Sequence, residues 1–153
     1  MASAAPVPAM PAMSAGQFCA MRLNPGDDLK ESLLDLCRQR NMAAASVVTC
    51  VGSLQKASIR LADANRERSD QELHFDEKLE ITSLVGTLGS EGGHLHISVA
   101  NKEGRVFGGH VLPGCQIFTT AEIVVLHLPE LRFSRRMDDA TGFRELHVEP
   151  NRG

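Results

Sequence analysis

One short stretch constrains this chain more than any other: Gly92-Gly93-His94-Leu95-His96-Ile97-Ser98-Val99-Ala100-Asn101-Lys102-Glu103-Gly104-Arg105-Val106-Phe107-Gly108-Gly109-His110. Two alternating runs flank Asn101–Gly104, which is the pattern of a β-hairpin. Register decides what the hairpin can do, because a slip of one residue carries a side chain to the opposite face. A two-residue loop would pair Asn101 with Gly104 and set His110 opposite Leu95, away from the other two histidines. Asn at the first position and Gly at the fourth favour a type I turn followed by a left-handed residue, a three-residue loop with a G1 bulge. Asn101 then pairs with Arg105. His96 falls directly opposite His110, and His94 lies two residues along the same face. Opposed Cβ atoms stand roughly 4.5–5.5 Å apart, close enough for imidazoles to converge on one ion.

The opposite face gives an independent check. The same register gathers Leu95, Ile97 and Val99 with Phe107 and Val111 into one apolar surface. Gly108 and Gly109 leave room beside the histidines or let another backbone approach closely. Neutral imidazoles bind zinc, iron, nickel or copper, and three of them leave a position open for water, a carboxylate or a substrate. Zinc is the first choice here, with iron or nickel as alternatives. The competing reading is a polar face hydrogen-bonded across a subunit interface.

The rest of the chain frames this hairpin. Its 153 residues suit one domain that builds a core without disulfides. Cys19, Cys37, Cys50 and Cys115 form no Cys-x-x-Cys pair, so free thiols in a reducing, cytoplasmic setting are expected, with the nucleus left open. No apolar run approaches the length of a membrane span. A net charge of −3 gives no electrostatic footprint for nucleic acid, and six Phe without Trp or Tyr offer little for base stacking. The nearest basic cluster is Arg132, Arg135 and Arg136, offset by Glu130, Asp138 and Asp139. It reads as a solvated mixed-charge loop, with an anion-binding patch as the alternative.

Residues 1–16, rich in Ala and Pro and free of charge, read as a disordered tail, and 149–153 as a loose one. The domain between, 17–148, opens with a strand near Phe18–Leu23. Asn24-Pro25-Gly26 then turns into a helix capped by Asp27 or Asp28, with Leu29, Leu33, Leu36 and Cys37 at helical spacing to about Arg40. Strands are expected at Ser46–Val51 and Ala57–Leu61, broken near Gly52-Ser53, and a loop at Asp63–Gln71. Further strands are expected at Leu79–Leu88, His94–Ala100, Arg105–Leu112, Glu122–Leu128 and Arg144–Val148. One principal helix with many strands and short turns makes an α+β domain on a mainly antiparallel sheet.

The ordered combination of Gly93-His94-Leu95-His96, Gly104-Arg105-Val106-Phe107-Gly108-Gly109-His110, Gly114 and Thr119-Thr120-Ala121-Glu122 resembles the stand-alone bacterial form of the plants-and-prokaryotes conserved (PPC) domain. The resemblance runs over about residues 17–148. It implies a mixed α/β domain on a mainly antiparallel sheet, a homotrimer, and a metal at the motif positions occupied here by His94, His96 and His110. In plants a similar domain sits beside AT-hooks in nuclear proteins, and this gives the family its DNA-binding label. No Arg-Gly-Arg-Pro core occurs in this chain, so direct DNA contact is not carried over.

Other candidates are weaker. Glu122 could complete a metal shell or act as a base beside a metal-bound water, against a plain strand-end carboxylate held by Arg105. Cys115 could be a nucleophile, but nothing places a base near it. His74, His127 and His147 lack partners at diagnostic spacing, and Gly86–Ser90 lacks the Gly-Lys-Ser/Thr ending of a phosphate loop. Two functions follow from different premises. One is a trimer binding a metal and a small ligand, with enzymatic activity left open. The other is a non-catalytic interaction module that recruits other proteins.

Overall fold

A computed structural model describes residues 11–62 and 71–152. The chain runs β1 (Gln17–Leu23), α1 (Leu29–Gln39), β2 (Ala45–Arg60), β3 (Glu72–Phe75), β4 (Leu79–Gly89), β5 (Gly92–Ala100), β6 (Val106–Val111), β7 (Gln116–His127), β8 (Leu131–Met137) and β9 (Arg144–Pro150). The expected α+β architecture is observed, with one helix against a sheet in which every pairing is antiparallel. Among the described residues no helix is long and apolar enough to cross a membrane.

The strand order is β1-β7-β2-β4-β5-β6, with β3 added to β2. The far end of β2 pairs again with β6, through Ile59 with Val111 and Arg60 with His110. The sheet therefore curls back on itself, and β2 must serve two neighbours along its length. That explains why one 16-residue strand stands where two short ones were expected. Gly52 does not end the strand; register shifts at Val47/Thr49 and around Gly52–Lys56 bend it instead.

Helix α1 starts where Asp28 caps it, its Oδ1 accepting from the backbone N–H of Lys30 and of Glu31 at 3.0 Å each. Asp27 serves the preceding turn, accepting from the Asn24 N–H at 2.8 Å. Leu29, Leu33, Leu34 and Cys37 bury one side of the helix in the core. There they meet Val47, Leu54, Ile59, Leu84, Leu95, Ile97, Val99, Val111, Ile117 and Val125. The sheet's other face is left outward, and the histidines stand on it.

Some elements depart from the sequence expectation. Strand β7 starts at Gln116, well before Glu122, because Ile117 and Ala121 alternate into the core although Thr119 and Thr120 separate them. Strands β3 and β8 were not expected. The Arg132–Arg136 segment is β8, paired with β9, and not a loop. Strand β9 continues through Glu149 and Pro150 where a loose end was expected, because Glu149 is held by Arg132 and Arg136. Of the expected N-terminal tail, residues 1–10 lie outside the described residues, as do residues 63–70 of the Asp63–Gln71 loop. Ser14 and Ala15 are hydrogen-bonded to Glu130.

Candidate metal centre

The β5–β6 turn has the chemistry its sequence prescribes. The Gly104 N–H donates to the Asn101 carbonyl at 2.9 Å, and the Asn101 N–H to the Arg105 carbonyl at 3.0 Å. Gly104 takes φ +76°, the left-handed conformation that glycine adopts without a Cβ penalty. The Asn101 side-chain oxygen accepts from the Glu103 and Arg105 N–H groups, locking the bend. The register that follows sets His96 opposite His110, Ile97 opposite Gly109 and Val99 opposite Phe107. Leu95, Ile97, Val99 and Val111 are buried, and Phe107 packs against them.

All three histidines share the outward face. Their ring nitrogens offer one ligand atom each, and these atoms lie within 4.8 Å of one another. His94 Nε2 and His96 Nε2 are 3.1 Å apart. Two nitrogens held about 2.0–2.1 Å from one tetrahedral ion would stand about 3.3 Å apart, so the tightest pair already has ligand spacing. His110 Nδ1 is buried without a hydrogen-bond partner among the described residues, a cost that a polar atom rarely carries for nothing.

Glycine makes this convergence possible. A Cβ on Gly108 would lie 2.9 Å from the Ile97 carbonyl oxygen, and one on Gly109 would lie 2.4 Å from that of Arg60. Both positions let neighbouring backbone approach closely, at β5 and at the closing β2 strand respectively. Electrostatics favours the neutral form of His94 and His110. Burial, then the Arg60 charge and the neighbouring His94, lowers the His110 pKa to about 4. Burial, then His96 and Arg135, lowers that of His94. Neutral imidazole is the form that ligates a metal.

The triad forms part of the wall of a cleft of about 910 Å³. Strands β4, β5 and β6 and the end of β2 line one side, while Arg135, Phe143, Arg144 and Glu145 come from the β8–β9 hairpin. Arg60, which the sequence reading did not single out, belongs here, as does Arg135, which it placed only in an alternative anion-binding patch apart from the histidines. The alternation of Leu131 and Phe133 was the available signal for β8, masked by three arginines in seven residues.

The remaining candidates are not brought to the triad. Glu122 sits on β7 between Arg22 and Val51, exposed, and neither it nor Arg105 lines the cleft. Within one chain the strands β2 and β4 lie between Glu122 and the β5 histidines, and Glu122 does not join the cluster. Cys115 is fully buried and bonded to the Ser58 backbone, and burial raises its pKa, the wrong direction for a nucleophile. His74 contacts Ser58 and Glu72, and His147 contacts Glu149; neither joins the cluster. All four cysteines are free thiols.

With this geometry in place, the comparisons with known proteins become specific. A model of the Plants and Prokaryotes Conserved (PCC) domain, also written PPC, matches residues 10–129. The chain belongs to this family. The bifunctional protein GlmU of a Synechococcus strain is 50% identical to this PPC chain over 133 residues. That match takes in 87% of the chain but only 20% of GlmU, so the chain spans about a fifth of that relative's length. A hypothetical protein from Salmonella has a solved structure that superposes with a TM-score of 0.85 at 35% identity, over 91% of this chain and 97% of its own. The metal-containing protein AF0104 of Archaeoglobus fulgidus superposes with a TM-score of 0.75 at 25% identity, covering 88% of this chain and 95% of that one. Residues 130–150, which hold the β8–β9 hairpin, lie C-terminal to the matched family stretch.

Proposed function

We propose that this protein is a homotrimeric PPC-domain metal protein that holds a divalent transition metal, zinc first and iron or nickel next, on His94, His96 and His110, and takes a small molecule into the cleft beside them. One observation carries the reading: three imidazole donor atoms within 4.8 Å of one another, one of them with 3.1 Å spacing to its neighbour. The likeness to a protein described as metal-containing supports it. When bound, such an ion supplies Lewis acidity and an open coordination position. The chain's own contribution is to favour the neutral form of His94 and His110, shield one side of the triad, and leave a cleft for a ligand.

The outward face supports self-association. Phe18 on β1, Leu126 on β7, Ser46 on β2, Thr87 on β4 and His94 on β5 follow one another across the sheet on this side. Phe18 and Val51 are each more than half exposed there, an apolar surface of the kind that marks subunit contacts. Light scattering at micromolar concentration should return the mass of three chains; a stable monomer would remove this part of the reading.

The metal test compares wild type with a His96→Ala/His110→Ala variant after purification, zinc loading and gel filtration. Near-stoichiometric metal in the wild type and little in the variant is the expected result. Equal, sub-stoichiometric metal in both would end the proposal.

A further inference from the structure

Two arginines flank the triad, and each is placed there by strand register. Arg60, at the end of β2, is the Cα partner of His110 across the barrel closure. Thr87, on β4, is the Cα partner of His94, and its Oγ1 accepts a hydrogen bond from Arg135 Nη2 at 3.0 Å. One guanidinium therefore stands beside the first histidine and another beside the last. Their charges also help to depress the pKa values of these rings.

Arg135 is itself held from behind. Arg144, across the β8–β9 hairpin, donates to the Arg135 carbonyl through Nε at 3.3 Å and Nη2 at 2.8 Å. Of the two glutamates in the cleft wall, Glu91 is already ion-paired with Arg132, and Glu145 keeps its charge near His94 but is outnumbered by Arg60, Arg135 and Arg144 on the same wall. The balance beside the triad is thus cationic before any metal binds. The same wall carries apolar surface from Val85 and Phe143, each about half exposed. A cleft with guanidinium forks at the reacting end and apolar walls suits an organic anion better than a bare inorganic one, because the apolar surface needs a carbon body to cover it.

We propose that the cleft takes a small organic carboxylate, with Arg135 and Arg60 receiving the carboxylate beside the histidines and Val85 and Phe143 packing on the carbon body. This rests on the metal-cleft reading for its biological sense, but the arginines can be tested with or without an ion. The β8–β9 hairpin then has a specific role: it brings the anion-recognising side chain to a metal face built by other strands.

The probe is benzoate, with benzamide as its neutral isostere and inorganic phosphate as the inorganic oxyanion. Binding is followed by ligand-detected NMR on the full chain, once stripped by chelator and once zinc-loaded. Benzoate should bind both forms, benzamide at least about tenfold more weakly, and Arg135→Gln should weaken benzoate about tenfold while leaving the benzamide signal unchanged. Arg135→Lys, which keeps the charge but loses the fork, should fall between. Arg60→Gln provides a second arm should Arg135→Gln melt early by circular dichroism. Equal binding of benzoate and benzamide, wild-type affinity in both glutamine variants, or phosphate outcompeting benzoate would each overturn the assignment. A protein that takes no zinc yet binds benzoate through Arg135 would sink the metal reading and leave this one standing.

Discussion

Two hairpins border the cleft, and they are built on opposite plans. The β5–β6 hairpin has a committed inside and outside: Leu95, Ile97, Val99 and Val111 are buried, and the histidines face out. The β8–β9 hairpin alternates as well, but most of its apolar face is left uncovered. Leu131 is buried, but Met137, Phe143, Leu146 and Val148 are exposed, while Arg132, Arg136 and Glu149 pair on its surface. Both turns use the same local chemistry, with Asn101 and Asp138 each accepting from two backbone N–H groups just downstream. The difference lies in what the strands lean on. A hairpin pinned to a core can hold side chains at ligand spacing; one resting on its own pairing can lend a side chain to a neighbour's site.

The largest test of that contrast is in the core. Leu95→Ala, which empties a fully buried site beneath the histidines, should cost about 2–5 kcal/mol in chemical denaturation. Leu146→Ala, at 39% exposed, should cost less than about 1 kcal/mol. A Leu146 penalty matching that of Leu95 would show that the second hairpin shares the core, and the contrast would break.

The turns sharpen it. Asn101→Ala and Asp138→Ala each remove a side-chain acceptor of two N–H groups, so each should cost about 1 kcal/mol. Their effects on the metal should separate. Loosening the Asn101 bend disturbs the register that opposes His96 to His110, so zinc affinity by competition with a chelating dye should fall. Asp138→Ala should leave it near wild type.

The last tests concern protons. The fold lowers the His110 pKa from 6.5 to about 4, so between these values the unfolded chain binds a proton that the folded chain refuses. Stability of the metal-free protein should therefore be complete above pH 6.5 and decline as pH falls toward 4. Because the Arg135 charge depresses His94 and is not among the causes acting on His110, Arg135→Met should raise the His94 titration slightly and leave that of His110 in place. Imidazole proton chemical shifts would read both.

The same contrast explains what could be read from the sequence. The β5–β6 register was legible because Asn101 and Gly104 dictate a turn and because one face is uniformly apolar, so only one pairing satisfies both. Helix α1 was legible for similar reasons, with Asp28 at its start and Leu29, Leu33 and Cys37 along one side. Strand β8 was not, since Arg132, Arg135 and Arg136 interrupt its alternation, and its stability comes from pairing with β9 more than from burial. The four-residue β3 is too short to show a period. Strand β2 was divided in two because glycine inside a strand looks like an end when the second neighbour that bends it is unknown. The separation of Glu122 from the triad within one chain is not legible for a related reason: nearness to a motif in sequence says nothing of how many strands lie between.

Zinc X-ray absorption on the loaded protein tests the central claim most directly, because it reads the donor atoms themselves. Three imidazole nitrogens at about 2.0–2.1 Å, with their outer-ring scattering lost in the His96→Ala/His110→Ala variant, is the predicted spectrum. A first shell containing sulfur at about 2.3 Å, or oxygen alone, would contradict it.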